Sequence, residues 1–141
     1  MANLNYLMDW YLDKIEYPLK ENQRYQDGES SSVYVVFNNV TNLTKIGITK
    51  NIKNRIRSLE TSSGVNLDLL LAIDLQEDYD EKAGLIELML HDFYKNKRGV
   101  GEWFNLNVKD VIQIRTLFYF IYGEMVYDNL KEINEKLKTK I

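Results

Sequence analysis

The tightest constraint in this chain is a pair of short β-type runs separated by a handful of polar residues. Val33–Phe37 reads VYVVF, and Lys45–Thr49 reads KIGIT. β-branched and aromatic side chains of this kind fit a pleated surface. Between the runs lies NNVTN, whose Asn38, Asn39 and Asn42 suit tight backbone geometry. So short a connection leaves no room for a crossover, so the two strands must be antiparallel. Whatever else the chain does, it is built on a hairpin.

The following segments extend that hairpin into an α+β domain. Thr49 is placed to cap a helix over Asn51–Thr61, where Ile52, Ile56 and Leu59 recur at helical spacing and SSG closes the run. Leu67–Leu75 is a third, apolar strand. Asp80–Lys97 reads as a long helix with Leu85, Ile86, Leu88, Met89, Leu90, Phe93 and Tyr94 as its apolar share. RGVG then breaks the pattern, EWFNL is extended, and Val108–Tyr122 with Glu124–Lys138 form one or two closing helices. Before the hairpin, Leu4, Leu7, Met8, Tyr11, Leu12 and Ile15 predict a helix over Leu4–Lys20, stopped by Pro18. The polar, glycine-containing stretch up to Ser32 is a linker. The expected architecture is a small central antiparallel three-stranded sheet flanked by helices. Residues 1–30 form an N-terminal helix and linker, 31–106 the core, and 107–141 a helical extension packed on it.

Composition narrows the function classes. The 141 residues are 45% hydrophobic and 28% charged, which supports one real core and argues against disorder. The absence of cysteine excludes disulfides, thiolate metal sites and a cysteine nucleophile, and fits an intracellular, cytoplasmic setting. Acids interrupt the N-terminus where a signal peptide would be apolar. The longest apolar stretch, TLFYFIYGEMVY, is too short to span a bilayer and contains Glu124. The net charge of −3 argues against a generic nucleic-acid coat. The charge is nonetheless uneven: Lys45, Lys50, Lys53, Arg55 and Arg57 precede Glu60, an acidic stretch follows from Asp68 to Asp92, and Lys95, Lys97 and Arg98 come next. These runs are either solvated faces or patches that steer a charged partner. The aromatic residues of both ends, Tyr6, Trp10, Tyr11 and Tyr17 against Phe118, Tyr119, Phe120, Tyr122 and Tyr127, would pack on each other or form a homodimer surface.

The ordered pattern VYVV, KIGIT, NRIRSLETSSG, LLLAIDL and LIELMLHDFYKNKRGVGEWFNL resembles the GIY-YIG nuclease superfamily. It is most similar to the phage-encoded branch with a K-I-G-x-T second strand and a terminal G-E-W-F. The resemblance runs from Val33 to about Leu106. Two departures stand out. Ser32-Val33-Tyr34 replaces the first motif but keeps its tyrosine, and Lys45-Ile46-Gly47 carries lysine where the second motif has tyrosine.

The resemblance implies single-metal hydrolysis of phosphodiester bonds, with DNA as the foremost substrate and a phage or mobile-element origin. Glu87 would hold Mg²⁺ or Mn²⁺, and Arg55 would grip the scissile phosphate. Tyr34 would act as general base or orient the attacking water, and Lys45 would lower its pKa or contact phosphate. Gly47 would admit a close approach. His91, four residues after Glu87 on the same helical face, would orient Glu87, serve as an auxiliary base or donate a structural hydrogen bond. Asn105 matches a late asparagine of the family. Lys50, Lys53 and Arg57 on one side, with Lys95, Lys97 and Arg98 on the other, would track a nucleic-acid backbone. Tyr34 reads equally as core, Arg55 and Glu87 as solvated helix residues, and Trp103 and Phe104 as packing. Glu102 would pair with a cation. The altered motif letters keep open an alternative, a nuclease-inactive protein of the same fold that binds nucleic acid or a partner.

Overall fold

The computed structural model describes residues 31–75 and 80–138. The helix expected over Leu4–Lys20, its linker and any packing between the two aromatic ends lie outside them.

The hairpin forms as its composition dictates. β1 (Ser32–Asn38) and β2 (Thr44–Thr49) pair antiparallel, with Tyr34 opposite Gly47 and Val36 opposite Lys45. The Asn38 side chain accepts from the backbone N–H groups of Val40 and Thr41, and Asn42 takes the left-handed conformation at φ 60°. α1 (Ile52–Ser63) follows. Its cap is Asn51 rather than Thr49: the Asn51 side chain accepts from the Asn54 N–H, while Thr49 Oγ1 accepts from the Asn51 N–H. Gly64, left-handed at φ 71°, ends the helix and donates to the Glu60 carbonyl.

β3 (Leu67–Asp74) pairs antiparallel with the other side of β1. A register shift between Val35 and Val36 leaves Leu70 without a partner on β1, and the consecutive Leu70 and Leu71 both enter the main core. α2 (Asp80–Phe93) stops short of the predicted Lys97, because Lys95–Lys97 tightens into a 3₁₀ turn. That turn lets Lys97 reach Asp110 while the buried Tyr94 hydroxyl donates to the Asp110 carbonyl. β4 (Trp103–Phe104) pairs with β2, and α3 (Val108–Tyr122) starts from a reciprocal capping box between Asn107 and Asp110.

The sheet is larger than expected. The closing segment does not continue as helix after Tyr122. Gly123–Met125 forms a 3₁₀ turn, β5 (Val126–Asp128) pairs with β3, and α4 (Leu130–Leu137) follows. Among the described residues, four helices flank a five-stranded antiparallel sheet ordered β4-β2-β1-β3-β5, not a three-stranded one. The extra edge strands are too short to carry a period-two signal; they exist because β2 and β3 offer unpaired edges to them.

Alternation along β1 divides the interior. Val33, Val35 and Phe37 face the main core under α2, α3 and α4, with Ile86, Leu90, Ile114, Phe118 and Leu137 among the fully buried partners. Residues beyond Leu106 therefore share this core. Tyr34 and Val36 face the opposite side, a smaller cluster with Leu67 and Ala72 beneath Ile52, Ile56 and Leu59 of α1. Tyr119, Phe120, Tyr122 and Tyr127 are exposed. No helix among the described residues is long and apolar enough to cross a membrane.

Candidate metal and phosphate site

The site grows from the smaller face. Tyr34 points there because β1 alternates, and its residue is only 1% exposed. The ring lies over Gly47, its cross-strand partner: a Cβ at position 47 would stand 2.5 Å from Tyr34 Oη and 2.6 Å from Cζ. Glycine is therefore required by space rather than by backbone freedom. The phenol oxygen accepts a hydrogen bond from Arg55 Nε at 3.3 Å. Arg55 reaches it from the half-buried side of α1, the side that also carries Ile52 and Ile56.

Lys45 lies two residues before Gly47, on the same face. Its side chain is 10% exposed, with Nζ 3.5 Å from a Glu102 carboxylate oxygen and 5.6 Å from the centre of the Trp103 ring. The β2–β4 pairing sets both contacts, since it places Trp103 opposite Lys45. From the far side of β2, α2 supplies Glu87 and His91 one turn apart. His91 Nε2 lies 2.8 Å from the Ile46 carbonyl oxygen. A carbonyl can only accept, so Nε2 carries the proton and Nδ1 keeps its lone pair. The Phe104 ring, 5.0 Å away, steadies the imidazole. One ligand atom from each of Glu87, His91 and Glu102 lies within 4.8 Å of the others, and all three residues are half-buried.

These groups sense one another electrically. Burial holds the Tyr34 hydroxyl above its ordinary pKa; the Arg55 hydrogen bond and charge oppose this, and the Glu102 and Glu87 carboxylates reinforce it. Tyr34 is therefore a neutral phenol at physiological pH. Burial also raises the Glu87 carboxyl, helped by the Glu102 charge and opposed by His91 and Lys45. Two carboxylates facing one imidazole form a donor set that suits a divalent cation.

Tyr34, Lys45, Gly47, Arg55, Glu87 and His91 thus converge, but the remaining cations do not join them. Lys53 and Arg57 stand two residues to either side of Arg55, about 200° around the helix, and are exposed. Lys50 is exposed just before α1. Lys95 pairs with Asp92 at 3.7 Å, and Lys97 with Asp110 at the start of α3. Arg98 donates from Nε to the Gly101 carbonyl, with its guanidinium 5.7 Å from the Phe104 ring centre. Asn105 is exposed and its backbone N–H bonds to the Lys97 carbonyl. Of the cations from Lys45 to Arg57, Lys45 and Arg55 reach the cluster, while Lys50, Lys53 and Arg57, expected to track a nucleic-acid backbone, are exposed outside it. Glu102 is the group that sequence reasoning undervalued. Its pairing with a cation was legible, but its approach to Glu87 and His91 depends on β4 docking against β2.

No curated protein and no solved structure shows significant similarity to this chain. The profile of the T5orf172 domain matches residues 31–118, which includes both strands of the hairpin, every converging residue and most of α3. The chain belongs to the T5orf172 domain family, a phage-associated domain often linked to nucleases.

Proposed function

We propose that this protein is a metal-dependent endonuclease that hydrolyses phosphodiester bonds in nucleic acid, with DNA as its substrate, through a GIY-YIG-like site. One observation carries this reading. The Tyr34 phenol, bonded to the Arg55 guanidinium, lies within electrostatic reach of the Glu87 and Glu102 carboxylates, and those two gather with the His91 imidazole and the Lys45 ammonium. Membership in a nuclease-linked family supports it.

A divalent cation held from Glu87 would neutralise phosphate charge and lower the pKa of water. The other roles fall to the chain itself. Arg55 spends Nε on Tyr34, which leaves its terminal nitrogens to grip a phosphate oxygen. Tyr34, held neutral and aimed by that bond, orients a water through its hydroxyl rather than removing a proton as phenolate. Lys45, drawn to Glu102, sits where its ammonium can balance added phosphate charge. Gly47 keeps the space that the Tyr34 ring requires.

The test is cleavage of supercoiled plasmid with Mg²⁺ or Mn²⁺ by wild type, Arg55→Ala and Glu87→Gln. Wild type should nick or linearise the plasmid, and each variant should fall by about 10²–10³-fold, the scale for removing one charge-stabilising group. A folded wild type that is silent on plasmid, branched DNA and RNA would overturn the reading. Salt-dependent binding without cleavage would instead favour a nuclease-inactive binding protein, the reading to which the lysine at the second motif's tyrosine position and its ion pair with Glu102 lend weight.

A further inference from the structure

We infer that Glu102 and His91 join Glu87 in a three-donor site of mixed oxygen and nitrogen character, selective for a transition ion of the Mn²⁺ class over Mg²⁺. This rests on the hydrolytic reading above, adds Glu102 and His91 to the one ligand that the resemblance implies, and chooses between the two ions it leaves open.

Glu87 and His91 lie one turn apart on α2, so their side chains leave the same helical face. His91 spends Nε2 on the Ile46 carbonyl at 2.8 Å, which fixes the ring and presents Nδ1 as the available donor. An outer hydrogen bond of that kind is the usual companion of a metal-bound imidazole. Glu102 enters from the turn before β4. Its carboxylate is 41% exposed and follows Gly101, whose φ of 62° marks a tight bend. A ring nitrogen of His91 and one carboxylate oxygen each of Glu87 and Glu102 already lie within 4.8 Å of one another. Metal–ligand bonds of about 2.1–2.2 Å require closer spacing for adjacent ligands, about 3 Å. The half-exposed Glu102 has room to close that gap.

The donor set decides the metal class. Mg²⁺ demands near-octahedral oxygen ligation and keeps its waters, so an imidazole nitrogen among the donors favours first-row transition ions over it; of these Mn²⁺ binds most weakly and best suits the two carboxylates. Glu102 also links the metal to the phosphate side of the site. It forms an ion pair with Lys45 at 3.5 Å. Recruiting it as a ligand weakens that ion pair and releases the Lys45 ammonium toward an incoming phosphate.

The experiment uses the full chain and Mn²⁺ itself. Free Mn²⁺ is titrated by electron paramagnetic resonance, and the bound ion is examined by electron spin-echo modulation. The inference expects ¹⁴N modulation in wild type, its loss in His91→Ala, and at least tenfold weaker Mn²⁺ binding in Glu102→Gln. It also expects Mg²⁺ to displace Mn²⁺ only at tenfold or greater excess. Glu102→Gln changes a half-exposed side chain, so it reads the site even if His91→Ala unfolds. Absence of Mn²⁺ binding, binding without nitrogen coupling, or wild-type affinity in Glu102→Gln would each overturn the inference. Cleavage supported equally by Mg²⁺ with no nitrogen signal would sink this site and leave hydrolysis standing. A nitrogen-coupled Mn²⁺ site with no cleavage of any nucleic acid would do the reverse.

Discussion

Gly47→Ala isolates the contact on which the site is built. In an ordinary strand, replacing glycine by alanine stabilises by roughly 0.5–1 kcal/mol, because glycine loses more chain entropy on folding. Here the new methyl would stand 2.5 Å from Tyr34 Oη, 2.6 Å from Cζ and 3.1 Å from a ring carbon. The ring cannot simply swing away. It is 1% exposed, packed among Val36 and Ala72, and tied to Arg55. Forcing a methyl into a filled core costs about 1–3 kcal/mol, which exceeds the entropic gain. Gly47→Ala should therefore lower stability by about 1–2 kcal/mol, or about 3–10 °C in Tm for a chain of this size. A double-mutant cycle with Tyr34→Leu assigns the cause, since leucine removes the ring that the methyl would strike. Urea and thermal unfolding of the two single variants and the double should give a favourable coupling of about 1–2 kcal/mol. Additive effects, or a Gly47→Ala protein as stable as wild type, would refute the claim that this glycine exists to seat Tyr34.

Three further outcomes are expected. Asp110→Ala removes both the capping-box acceptor of α3 and the partner of Lys97, so urea unfolding should show a loss of about 2–3 kcal/mol, with Asp110→Asn losing less. The Glu87 carboxyl is raised by burial, so the folded state holds its proton more tightly than the unfolded chain. In chelator, its ionisation therefore costs stability as pH rises above the ordinary carboxylate range. Glu87→Gln should raise Tm at neutral pH, and the gain should vanish as pH falls to about 4; a gain independent of pH would contradict this. Lys53→Ala and Arg57→Ala, on the outward side of α1, should change the cleavage rate less than about threefold at low salt, against the 10²-fold or greater loss for Arg55→Ala.

The hairpin was legible because its turn is short, polar and rich in asparagine, and nothing but antiparallel pairing fits that connection. α3 begins and ends where its apolar spacing and flanking residues predict, at Val108 and Tyr122. β5 was not legible. Val126–Asp128 falls within the helix expected over Glu124–Lys138, and pairing with the open edge of β3 makes it strand instead. The cap of α1 shifted from Thr49 to Asn51 because both carry short polar side chains, and local geometry alone chose between them. Within the site, helical periodicity placed Glu87 beside His91. It also held, unread, the fact that Arg55 points away from Lys53 and Arg57. The meeting of Glu102 with that pair is a tertiary event, fixed when two residues of β4 add to the edge of β2.

The most direct test of hydrolysis at this site is cleavage of a defined DNA duplex by wild type in H₂¹⁸O with Mn²⁺, followed by mass spectrometry of the new ends. The account predicts one ¹⁸O at each newly formed terminal phosphate, and no such product from Arg55→Ala under the same conditions. Cleavage that incorporates no ¹⁸O, or labelled product formed equally by Arg55→Ala, would contradict it.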